Sequence, residues 1–81
     1  MKYIVTRDGS GKEEIFIFPV AVHHDVMYNA VCRLKNQSHG NWERVDRELV
    51  SAGSCDGVSC YGRSETLGVE SRGYADAVLI K

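Results

Sequence analysis

The sequence predicts a single α+β domain: a small antiparallel β-sheet of about four strands in two hairpins, with one α-helix packed on it, in the order ββαββ. Three observations carry this expectation. Two runs rich in β-branched and aromatic residues flank a turn near the start, and apolar residues recur at helical spacing after Asp25. Asp56-Gly57, a strong short hairpin signal, stands in the second half.

Residues 2–7 and 14–18 form the first pair of strands, joined by Asp8-Gly9-Ser10-Gly11-Lys12. That joint supplies two glycines able to take φ > 0 and an aspartate able to accept from nearby backbone. Pro19 closes the second strand because it has no N–H for the ladder. In the helix that follows, Asp25 is the expected N-cap, and Met27, Ala30, Val31 and Leu34 share a face. Arg33 and Lys35 occupy the last turn, where the helix dipole favours positive charge. Residues 36–41, Asn-Gln-Ser-His-Gly-Asn, read as a loop.

Residues 41–52 admit two readings. As a helix, Asn41 caps it, Trp42, Val45 and Leu49 share a face, and Gly53 stops it. As a strand over about 44–55, the segment supplies the first arm of a hairpin whose turn is Asp56-Gly57 and whose second arm is Val58 to Tyr61. The strand is preferred, since a helix running to Ala52 leaves too few residues to pair. A two-residue turn sets Cys55 opposite Val58 and Gly53 opposite Cys60. Both cysteines then share the expected core face with Val45, Leu49 and Val58, on which Arg47 and Ser51 also fall, while Tyr61 and Arg63 share the other with Val50 and Ala52. The tail is polar and glycine-punctuated up to Gly73. Its apolar end, residues 75–80, is expected to dock on the core as a strand or a helical turn.

The totals bound the rest. Eighty-one residues make one domain, 1–81, and a chain of this size buries only about 60% of the surface it exposes when unfolded. Ten basic residues against 11 acidic ones give a net charge of -1, which disfavours phosphate-driven nucleic-acid binding. No apolar run has the length of a signal peptide's core or of a membrane span. Three cysteines without a secretion signal read as thiols, and the expected location is the cytoplasm.

Chemistry-bearing patterns are sparse. Cys55-x4-Cys60, with Cys32, His23, His24 and His39, offers one close pair where structural zinc uses two; a pair of core thiols is the preferred reading, with no cofactor. A Cys55–Cys60 disulfide requires a register other than the expected one, because diagonal neighbours lie about 7–8 Å apart. No nucleophile elbow, phosphate loop or dinucleotide fingerprint is present, so no catalytic residue is assigned and the protein is read as a non-enzyme. Arg63, Ser64, Glu65, Glu70, Ser71 and Arg72 cluster two guanidinium forks, suited to gripping carboxylate or phosphate. Their simpler role is pairing with neighbouring glutamates. Trp42, beside Arg44, serves equally as an interface anchor or a core plug.

Asn36-Gln37-Ser38-His39-Gly40-Asn41-Trp42-x-Arg44-Val45, then Val50-x-Ala52-Gly53, then Cys60-Tyr61-Gly62-Arg63-Ser64-Glu65-x-Leu67 with Ser71-Arg72, resembles a group of small uncharacterised bacteriophage and prophage proteins. The similarity runs from the first hairpin to the Ser71-Arg72 turn. It implies a bacterial host cell and a binding role toward a host or phage macromolecule, such as disarming host defence. The leading expectation is therefore a protein-binding protein using Trp42, Arg44, Arg63, Glu65 and Arg72, with homodimerisation through a sheet edge as an option. The alternative is a small-ligand or nucleic-acid binder using Arg63, Arg72, Arg44 and Arg47. A zinc-stabilised module ranks third.

Overall fold

The structure, a computed structural model, describes residues 1–37 and 48–80, with only the backbone described over 33–37. The chain runs β1 (Lys2–Arg7), β2 (Glu13–Phe18), α1 (His24–Gln37), β3 (Glu48–Cys55), β4 (Cys60–Tyr61), β5 (Arg63–Ser64), β6 (Val69–Glu70) and α2 (Tyr74–Ala77), ending in a 3₁₀ turn, Val78–Ile80. The α+β class holds. The expected ββαββ order with one helix is extended by a second, two-stranded ribbon and a second short helix.

The four-stranded sheet has the order β2-β1-β3-β4, and β5-β6 pair separately. All pairings are antiparallel. The first hairpin forms as its local chemistry dictates, from Lys2 opposite Phe18 to Arg7 opposite Glu13. Asp8 Oδ1 accepts from the backbone N–H groups of Ser10 and Lys12 and from the Ser10 hydroxyl. Gly11 takes the positive φ of 88° that the turn needs. β2 stops at Phe18, the residue before Pro19.

β1 is a central strand, and its residues Tyr3, Ile4, Val5 and Thr6 are all fully buried. A run with no polar alternation is what a strand covered on both faces shows. On one face, Tyr3, Val5, Cys55 and Cys60 pack with Ala77, Leu79 and Ile80 from the C-terminal segment. On the other, Ile4, Phe18 and Ala52 pack with Val31 and Met27 of α1, and Leu67 and Val69 of the ribbon fill in beside them. The helix starts one residue ahead of its expected cap. Asp25 lies in the first turn, and its carboxylate accepts from the N–H of Val26 at 2.9 Å. The docking of the apolar tail is realised as α2 and the 3₁₀ turn.

Two expectations about the second hairpin are corrected. Cys55 lies opposite Cys60 and Ser54 opposite Tyr61, not Cys55 opposite Val58. The connection is the four-residue turn Asp56–Ser59: the Asp56 carboxylate accepts from the N–H groups of Val58 and Ser59 at 2.9 and 2.7 Å, which keeps Val58 out of the ladder. Val58 is exposed rather than core. Leu49 also leaves the face of the cysteines. The β1–β3 register slips between Val5 and Thr6, where Val5 faces Ser51 and Thr6 faces Leu49. This bulge at Val50 turns Leu49 toward α1 and Val50 toward the cysteine face. The strand expected from residue 44 is present from Glu48; residues 44–47 lie outside the described ones.

Gly53, mid-strand, marks a close backbone approach. A Cβ there would lie 2.4 Å from the Tyr61 carbonyl oxygen, and the Gly53 carbonyl oxygen is 2.9 Å from Nε2 of buried His24.

Candidate functional site

Two features sit side by side where the C-terminal segment meets the sheet: a closed polar network and an open apolar groove. The network centres on Asp76, which is fully buried. Its carboxylate accepts from Tyr3 Oη at 2.5 Å, Ser51 Oγ at 2.8 Å, and the backbone N–H and Nε of Arg72 at 2.9 and 2.7 Å. The Ser71 hydroxyl lies 2.6 Å from Tyr3 Oη and accepts from the N–H of Gly73. Burial alone would push the Asp76 carboxyl up. The hydrogen bonds from Tyr3, Arg72 and Ser51 outweigh it and hold the group below its usual range. The same burial, with Asp76 as acceptor, pushes the Tyr3 phenol well above its ordinary value.

Arg72 carries the network outward. While Nε holds Asp76, its two terminal nitrogens reach Glu13 at 2.9 and 3.2 Å. Glu13 also accepts from Arg7 at 2.7 Å, and Arg7 reaches Glu48 at 3.1 Å. Hydrogen bonds from Arg72 and Arg7 hold the Glu13 carboxyl down at about 2. This is a latch tying the C-terminal segment to β1 and β2. A carboxylate and a phenol locked in these states are poor general acids or bases near neutral pH.

The groove runs between the Asp56–Ser59 turn and α2 and encloses about 460 Å³. Val58, Ser59 and Cys60 form one wall; Gly73, Tyr74, Ala77 and Val78 form the other. Tyr74 is 83% exposed and Val58 77% exposed, with Val78 also open to solvent. Cys60 is only 8% exposed. Helix α2 owes its position to the latch: Asp76 points inward to Tyr3, and the residues flanking it, Tyr74 and Val78, border the groove.

The residues singled out from sequence are divided by the structure. Arg72 is engaged by Asp76 and Glu13. Arg63, in β5 opposite Glu70, is exposed and makes no ion pair with a described residue. Glu65 is exposed in the β5–β6 turn. Trp42, Arg44, Arg47 and His39 lie outside the described residues. The sequence reading passes over Tyr74 and assigns Val58 and Val78 to the core, since nothing local marks an apolar residue as exposed. Among the described residues, no group of three or more His, Cys, Asp or Glu side chains is placed to hold a metal ion, and no helix is long and apolar enough to cross a membrane. Comparison of the chain with family models, curated proteins and solved structures finds no match in any of the three.

Proposed function

We propose that the protein is a non-enzymatic interaction module that binds another protein by receiving an apolar anchor side chain in the groove between the Asp56–Ser59 turn and α2. The observation that supports it is the exposure of Tyr74, Val58 and Val78 around one concavity. Large apolar groups gathered at the rim of a depression mark interaction surfaces, and tyrosine is a frequent anchor. Tyr3, Ser51, Arg72 and Asp76, next to the groove, are meanwhile engaged in the latch. The resemblance to small phage and prophage proteins sets the context, with a bacterial host protein as the partner to seek and interference with host defence as the reading to test.

A photo-crosslinking residue at position 74, with Lys12 on the first hairpin loop as a control position, should capture one partner from host cells at 74 only. The purified partner should then bind the Tyr74→Ser/Val58→Ser variant at least ten-fold more weakly than the parent. Equal affinity for parent and variant would exclude the groove. The anion-binding alternative is left with Arg63 as its exposed guanidinium among the described residues, because Arg72 already grips two carboxylates.

A further inference from the structure

We propose that Cys55 and Cys60 form a reversible oxidation site, closing to a cross-strand disulfide by exchange with a low-molecular-weight disulfide of the glutathione class. The two residues are direct partners across β3 and β4, and all three cysteines of the chain are free thiols. Cys55 uses its N–H and its carbonyl on the β1 side: the N–H donates to the Met1 carbonyl at 2.7 Å, and the carbonyl accepts from the Met1 amino group at 3.0 Å. Toward β4 the pair is therefore of the non-hydrogen-bonded kind, in which facing Cα atoms lie about 4.5 Å apart and the side chains come closest. That spacing is inside the roughly 4.4–6.8 Å range that a disulfide spans. Both side chains project to the same face, into one cluster with Tyr3 and Val5. Cys32 is buried in α1, which packs on the opposite face.

Accessibility assigns the order of events. Cys60 borders the groove and is 8% exposed, whereas Cys55 is 1% exposed. β4 is two residues long, so little pairing has to loosen for an oxidant to reach Cys60. The Cys60 thiolate attacks one sulfur of glutathione disulfide, forming a mixed disulfide and releasing one glutathione thiolate, which takes up the proton that Cys60 lost. The Cys55 thiolate then attacks the Cys60 sulfur and expels the second glutathione. Two protein thiols are oxidised, one glutathione disulfide is reduced to two glutathiones, and both hydrogens leave on them. Burial, followed by the nearby Cys55 and Asp76, pushes the Cys60 thiol up, with a hydrogen bond from Tyr3 acting the other way. Exchange is accordingly slow at neutral pH and speeds up in base.

The test is to incubate the native protein with glutathione disulfide at pH 7 and pH 9, quench in acid, unfold, alkylate, and map the peptides by mass. The expected product weighs two hydrogen atoms less than the starting protein, is alkylated at Cys32 only, and forms faster at pH 9. It should form in the folded protein with no denaturant present and revert with a thiol reductant. Any of three results overturns the proposal: Cys55 and Cys60 both alkylated, a stable glutathione adduct without closure, or closure only in the unfolded chain. The Cys32→Ala variant should close at the parent rate, and a disulfide that involves Cys32 would also exclude the assignment.

Discussion

Arg72 and Glu13 stand 59 residues apart in the chain, yet both terminal guanidinium nitrogens of Arg72 rest on the Glu13 carboxylate, at 2.9 and 3.2 Å. With Nε on Asp76, one side chain joins a buried carboxylate to a surface one. The planar fork makes this possible, and an ammonium would not reproduce it.

Arg72→Ala should destabilise the protein by about 2 kcal/mol, discounted from the roughly 3–5 kcal/mol of a fully buried pair because Arg72 is partly exposed. Arg72→Lys should recover less than half of the loss. Arg7→Ala breaks only solvent-screened pairs and should lower the midpoint less than Arg72→Ala does. Urea unfolding midpoints of the three variants check the ranking.

Asp76→Ala strands four donors, from Tyr3, Ser51 and Arg72, in a water-poor site. It should cost about 3 kcal/mol or more. A Tyr3→Phe change removes one of those donors and should cost about 1–2 kcal/mol. Thermal unfolding followed by circular dichroism separates the two.

Acid should weaken the fold within a defined window. The folded Glu13 carboxyl sits at about 2 against an ordinary 4.5, and Asp76 also lies below its ordinary value. Depressed carboxyls stabilise the fold fully above their unfolded values, and that contribution fades as pH falls toward their folded ones. The melting temperature should therefore be flat above about pH 5 and fall between about 4.5 and 2. Glu13→Gln should flatten the curve in that interval; an unchanged slope would contradict the latch.

Gly53→Ala places a methyl group 2.4 Å from the Tyr61 carbonyl oxygen. Backbone must move to admit it, so the change should cost about 1–3 kcal/mol. It should also loosen β4, seen as faster amide hydrogen exchange at Tyr61 and Gly62.

Tyr74→Ser and Val58→Ser, by contrast, alter exposed side chains and should change stability by less than about 0.5 kcal/mol each. Stability unchanged with partner binding lost is the pattern the proposed function requires.

What the sequence made legible follows the range of the interactions involved. The first hairpin was readable because Asp8 and Gly11 satisfy its turn within five residues. The second was readable as a hairpin but not in its register, which depends on the Asp56 side chain lengthening the turn, nor in the faces of Leu49 and Val50, which a bulge opposite β1 sets. The α1 stripe was visible in Met27 and Val31. The site was harder. Arg72 was recognisable as a carboxylate grip, but Glu13 and Asp76, the groups it grips, are brought to it by the tertiary fold. Asp76 stood within an otherwise apolar tail, with no local hint that it would become the most connected carboxylate. The exposure of Tyr74 follows from Asp76 turning inward, and no pattern in residues 73–80 encodes that alone.

The central position of β1 has a consequence for synthesis. The strand pairs Lys2 with Ser54, and Tyr3 finds its acceptor on Asp76. On a ribosome adding about 5–20 residues per second, this apolar strand emerges seconds before the neighbour that closes its second edge. Its tyrosine waits longer still. For that interval β2 is the one strand available to it, and the nascent chain presents a two-stranded apolar ribbon of the kind that chaperones capture.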